Sequence, residues 1–197
     1  EARKPSKING FGNLTIAYKQ KGKEETNMLD KTVAGLLNTQ INKEFYSAYL
    51  YLDFANYYKD AELNGFSNWY KVQAQEERDH AMLFMQYLQN NDAHVTLDSI
   101  DKPDKRFEDF RGPLSAGLEH ERYVTGLIHV IYDAAYSVKD FRTMQFLDWF
   151  VKEQGEEEKN ASELLKRFDL FGHDPKGLYM MDSELAARVY AAPSLVL

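Results

Sequence analysis

The run Gln73-Ala74-Gln75-Glu76-Glu77-Arg78-Asp79-His80 sits in the middle of a long segment with helical apolar spacing. Phe66, Tyr70, Gln73, Glu77, His80, Phe84 and Tyr87 recur at alternating intervals of four and three, which places them on one helix face. Glu77 and His80 therefore neighbour each other on an otherwise apolar seam. An ionised carboxylate in such a place costs roughly several kcal/mol unless it is paired or coordinated. A Glu-x-x-His pair projecting inward is also the ligand pattern of helix-bundle metal centres.

Three further segments repeat the interruption. Leu37, Ile41, Glu44, Ala48, Tyr51, Ala55 and Tyr58 form one seam. Leu114, Leu118, Glu121, Thr125, Ile128, Tyr132 and Ala135 form a second, and Phe146, Phe150, Glu153, Glu157, Ala161 and Leu164 a third. Each carries carboxylate near its middle. The spacing predicts helices near 28–59, 66–91, 113–138 and 141–170, with a short fifth near 182–191. Asn64-Gly65 is expected to end the first helix, Pro113 to open the third, and Gly172 with Pro175 to stop the fourth. Short links join the first pair and the last pair. A polar stretch, 92–112, with Asp101-Lys102-Pro103-Asp104 separates them. The expected fold class is all-α: a four-helix bundle with one long crossover between its second and third helices.

Composition agrees. The 197 residues are 44% apolar and 28% charged, with formal net charge -7. That balance suits a folded domain that attracts cations and repels a phosphate backbone, so nucleic acid is not an expected partner. No cysteine is present, which excludes thiolate catalysis, iron–sulfur clusters and cysteine-ligated zinc. No apolar run reaches the ~18 residues that suggest a membrane span. Residues 1–27 differ from the rest: six Lys or Arg against three Glu leave them at +3. They are expected to form a flexible basic extension preceding a domain over 28–197, and they hold no apolar stretch of a secretory signal.

Four inward carboxylates with one imidazole suit a divalent cation such as Fe(II), Mn(II) or Zn(II). The quoted motif on the second helix, Ile41-Asn42-Lys43-Glu44-Phe45-Tyr46-Ser47 on the first, His120-Glu121 on the third and Glu153-Gln154-Gly155-Glu156-Glu157-Glu158 on the fourth resemble the motifs of bacterial non-haem ferritin. Gly177-Leu178-Tyr179 followed by Asp182 through Leu185 resembles its link to a fifth helix. The likeness spans residues 28–191.

This resemblance implies a ferritin-like bundle and an iron-storage subunit with ferroxidase activity. Glu44, Glu77 and His80 would form a first iron site. Glu77 would bridge to a second, completed by Glu121 and Glu157 with Gln154 adjacent. Glu76, Glu153 and Glu156 would hold a third iron, and the sequence shows no other partner for Glu76 or Glu153. Tyr51 would stand beside the centre as a redox residue, with Trp149 a further electron donor. Fe(II) would be oxidised by O2 or H2O2, and ferric oxyhydroxide stored in a cytoplasmic homo-oligomeric shell of 24 subunits. No haem is expected, because Arg78 stands where bacterioferritin has its haem-ligating methionine. Two other readings stay open: a non-catalytic, mineral-nucleating shell subunit, and another di-iron oxygenase or peroxidase.

Overall fold

The computed structural model describes residues 29–197; the expected basic extension, residues 1–27, lies outside them. The described residues form five helices and no strand: α1 Lys31–Asp60, α2 Asn64–Asn90, α3 Arg111–Ser137, α4 Phe141–Phe171 and α5 Pro175–Leu185. The all-α bundle with one long crossover is thus the observed architecture. α1 pairs with α2 and α3 with α4, while α1 also packs on α3. The crossover returns along α1. Asn38 Nδ2 donates to Thr96 O at 2.9 Å, Asn38 Oδ1 accepts from Thr96 N at 2.8 Å, and Asn42 Nδ2 donates to Ser99 O at 2.8 Å.

Side-chain caps start three helices. The Asp30 carboxylate accepts from the backbone of Thr32 and Val33, Asp140 from Thr143, and Asp174 from Gly177, each satisfying amides that have no partner inside the helix. Left-handed residues end three. Glu62, Asp92 and Lys139 have φ of 59°, 54° and 59°. The amide that follows each one bonds back five residues, from Leu63 to Tyr58, Ala93 to Leu88 and Asp140 to Ala135. This is the Schellman closure without its usual glycine.

These closures correct two expected boundaries. α1 stops at the Glu62 turn, and Asn64-Gly65 opens α2 instead of ending α1. Gly65 is needed there for a close approach: a Cβ would lie 1.7 Å from the carbonyl oxygen of Asp182. α2 has no cap of its own. The Asp182 carboxylate on α5 supplies one, accepting from Gly65 N at 2.7 Å and Phe66 N at 3.0 Å. The fifth helix also lies earlier than 182–191. Pro175 begins it, because a first-turn residue needs no N–H donor. Gly177 belongs to its first turn and not to a link, since a Cβ would sit 2.2 Å from Phe171 O. Residues 186–197 are not helical.

The core consists of two apolar clusters. One includes Leu37, Ile41, Phe84, Ile128, Phe146 and Phe150; the other includes Tyr51, Phe54, Tyr58, Phe66, Leu114 and Phe168. On every long helix the sequence passes from one cluster to the other through polar residues. Glu44 and Ser47 do so on α1, Gln73, Glu77 and His80 on α2, Glu121 on α3, and Gln154 and Glu157 on α4, all buried. The expected seams hold with single-residue slips. Ser47 is buried where Ala48 was expected, and Gln154 where Glu153 was expected. A strict 4-3 pattern drifts against the 3.6-residue turn of a straight helix, so neighbouring positions share the inner face.

Candidate metal centre

Glu44, Glu77 and His80 come together. Each offers one ligand-type atom within 4.8 Å of the other two, and all three are buried. His80 Nδ1 lies 3.5 Å from Glu77 Oε2. Gln40, one turn before Glu44, donates from Nε2 to Glu44 Oε1 at 2.8 Å. The other oxygen, Glu44 Oε2, is buried with no hydrogen-bond partner; among the described residues only Ser67 Oγ shares that condition. An unpaired carboxylate oxygen beside a second carboxylate and an imidazole is the donor set a divalent cation requires.

Glu121 and Glu157 lie on the other side of Glu77. Gln73 Nε2 donates to Glu157 Oε2 at 2.7 Å and to Glu77 Oε1 at 3.3 Å, tying the two carboxylates together. Gln154 Nε2 donates to Glu121 Oε2 at 3.2 Å, and the Tyr51 hydroxyl donates to Glu121 Oε1. A cavity of about 20 Å³ touches Tyr51, Gln73, Glu121 and Glu157, the size of a single water site. His120 turns away from this group. It is buried, bonded to Ser47 Oγ at 2.7 Å, and burial holds it down to about 4, so it is neutral. Trp149 stacks edge-on against His80 with ring centroids 5.6 Å apart.

The outer residues are less uniform. Glu76 is not unpartnered as its sequence context suggests: Arg188 Nη2 reaches its Oε2 at 2.5 Å. Glu153 is half-buried, and Glu156 is exposed and pairs with Lys152 at 3.5 Å. Gln40, Ser47 and Arg188 are contacts the sequence reading lacks. Gln40 has a local signal, being four residues before Glu44 on one face. Arg188 has none, since its partners lie more than a hundred positions away.

Burial and mutual repulsion set the protonation of the group. Burial, then the charge of Glu77, raises Glu44 to about 8 and likewise Glu157 to about 8. Burial, then Glu77 and Glu157, raises Glu121 well above the usual range. Glu77 goes the other way: burial opposes its charge, but the His80 hydrogen bond and the charge of His80, with the Gln73 hydrogen bond, outweigh it. His80 is raised to about 10, because the hydrogen bond and charge of Glu77, with Glu44 and Glu157, overcome burial. One ionised carboxylate and one imidazolium thus share a site with three neutral carboxylic acids.

A bundle that interrupts its core with four glutamates and a histidine defines a carboxylate-centred four-helix protein. A model of the ferritin-like domain family matches residues 34–171. The chain is 36% identical over 155 residues to the bacterial non-heme ferritin of Campylobacter jejuni, covering 79% of this chain and 93% of that one. It is 35% identical over 163 residues to that of Staphylococcus haemolyticus, covering 83% and 98%. An open-pore ferritin from the archaeon Archaeoglobus fulgidus superposes with a TM-score of 0.80 at 38% identity, over 82% of this chain and 99% of that one. An engineered closed form of the A. fulgidus ferritin gives 0.81. This chain belongs to the ferritin family.

Proposed function

We propose that the chain is an iron-storage subunit that oxidises Fe(II) at the carboxylate centre and stores ferric oxyhydroxide in a cytoplasmic shell of 24 copies. The supporting observation is the convergence of Glu44, Glu77 and His80 within 4.8 Å around a buried oxygen without a partner. In this reading Glu44, Glu77 and His80 hold one Fe(II). Glu77 is shared with a second, held also by Glu121 and Glu157, with Gln154 alongside. Glu76, Glu153 and Glu156 form an outer cation position.

Anionic oxygen donors stabilise Fe(III) over Fe(II), which favours electron loss at the centre. Two Fe(II) give up one electron each. O2 takes the pair with two protons to become H2O2, or H2O2 takes the pair with two protons to become two waters. Gln40, Gln73, Gln154 and Tyr51 fix carboxylate orientation by donating hydrogen bonds. Tyr51 also lies where a phenol could supply an electron and a proton, in contact with Glu121. Trp149, stacked on His80, would supply a further electron in this reading.

Stopped-flow oxidation at two Fe(II) per subunit tests the reading, with light scattering on the native particle. A fast phase that disappears in Glu77→Ala, on a particle of several hundred kilodaltons, is the expected result. A wild type without a fast phase would leave the mineral-nucleating shell; a fast phase unchanged in Glu77→Ala would refute the assigned centre; a small particle that turns over an organic substrate would leave a di-iron oxygenase.

A further inference from the structure

After α5 the chain turns back and lies against α2 and α4 as a strap. Asn68 Nδ2 on α2 holds it by the carbonyls of Leu185, Ala186 and Arg188, at 3.3, 3.4 and 2.9 Å. The Arg188 guanidinium stacks 4.0 Å from the Trp69 ring centroid. Its Nη1 donates to Trp69 O at 3.2 Å and to Gln73 Oε1 at 2.9 Å, and its Nη2 to Glu76 Oε2 at 2.5 Å. Farther on, the Tyr190 hydroxyl donates to Asp79, Trp149 Nε1 donates to Ser194 Oγ at 2.9 Å, and Leu195 packs on the apolar core. Both tryptophans of the chain therefore touch the strap.

Two consequences follow from the chemistry of a guanidinium. It is permanently charged and only donates hydrogen bonds. It therefore fixes the polarity of the Gln73 amide: Oε1 faces Arg188, so Nε2 faces Glu77 and Glu157. It also places a full positive charge on Glu76, in a contact whose two side chains are each only 18% exposed. We propose that Arg188 is the resident cation of the outer position. A further divalent ion reaches Glu76 and Glu153 only by displacing Arg188 and lifting the strap, and that displacement frees Gln73 from its hold on the inner carboxylates. This rests on the inner group being a metal centre, and it makes Arg188 a positioning residue that limits the centre to two ions until the strap moves.

Zn(II), which is redox-silent, titrated into the metal-free full-length protein tests this by calorimetry and tryptophan emission. In the wild type, two equivalents per subunit should bind tightly, and the response of Trp149, which stacks on His80, should be complete by then, leaving a steady emission. A weaker third should change it. In Arg188→Gln the third equivalent should tighten about ten-fold or more, the worth of one charge-assisted hydrogen bond, with emission shifted before any metal is added. Arg188→Lys should fall between the two, and adding Glu76→Gln to Arg188→Gln should abolish the gain. A third-site affinity within two-fold of wild type in Arg188→Gln, or a gain that survives Glu76→Gln, overturns the proposal. Should Arg188→Gln fail to fold, the wild type decides: a third equivalent that leaves emission unchanged also overturns it. Glu77→Ala separates the premise: if it leaves the first two equivalents intact, the inner centre is misassigned, while the Glu76 comparison still judges Arg188.

Discussion

Loading the centre with two divalent ions should expel nearly four protons per subunit. At pH 7, groups raised to about 8, as Glu44 and Glu157 are, are each roughly 0.9 protonated. His80, raised to about 10, and Glu121, raised well above the carboxylate range, are almost fully protonated. Glu77, pulled down by His80, is ionised and contributes none. Metal ligation requires ionised carboxylates and a neutral imidazole, so each protonated group must release its proton. Calorimetry with Zn(II) in buffers of different ionisation enthalpy measures the number directly. The same number is the slope of log affinity against pH, so affinity rises with pH. The slope should fall toward two above pH 8, once Glu44 and Glu157 are already ionised. Release of fewer than one proton per subunit would refute the protonation pattern.

The same shifts make the metal-free fold less stable as pH rises. Glu44 and Glu157 hold protons in the folded state between about 4.5 and about 8 that the unfolded chain has lost, so stability declines across that window by up to roughly 1.4 kcal/mol per pH unit for each group; a melting temperature that climbs from pH 5 to 8 would contradict it. Glu77→Ala should lower the melting temperature of the metal-free protein, since it removes the partner that outweighs burial at His80 and obliges that imidazolium to give up its proton, a loss of up to roughly 3 kcal/mol for one partner of a buried pair; differential scanning calorimetry reads the change, and a higher melting point would mean the carboxylate's burial outweighs its pairing. Removing residues 1–27 should leave particle size by gel filtration and the initial oxidation rate unchanged, because every proposed ligand lies at Glu44 or beyond; a chain starting at Met28 that stays small would make the extension part of the assembly interface.

The bundle was legible because its signal is local and repeated. Four segments carry the same apolar period, and the two short links and one long crossover leave little topological freedom. What was not legible depended on distance or on backbone conformation. Glu62 takes the left-handed turn at α1's end, although asparagine and glycine two residues later are the stronger breakers. Asp182 caps α2 from α5, a contact no local window contains. Pro175 reads as a stop after α4 and equally as a start for α5; the Asp174 carboxylate, bonded to Gly177 N, decides for the start.

The site divides the same way. Glu44, Glu77, His80, Glu121 and Glu157 were visible as polar residues at seam positions, where burial makes them costly. Arg188 was invisible, because a charged residue near a C-terminus is ordinarily solvated. Once protonation is included, the group has a charge balance that sequence could not express. In the metal-free protein, Glu77 and His80 cancel, and Glu44, Glu121 and Glu157 are neutral acids. Under the proposed function, two divalent ions meet four ionised glutamates and a neutral imidazole, which again cancel. Neither state buries net charge, so the bundle can bind and release its cargo without a large desolvation penalty. Oxidation breaks that balance: two Fe(III) leave two uncompensated positive charges among apolar rings. Hydrolysis of bound water, which sheds protons, or departure of the ferric ions restores neutrality. Under that reading, the electrostatics that would make the centre receptive to Fe(II) would also make it a poor resting place for ferric iron, which suits a subunit that passes its product on to a store.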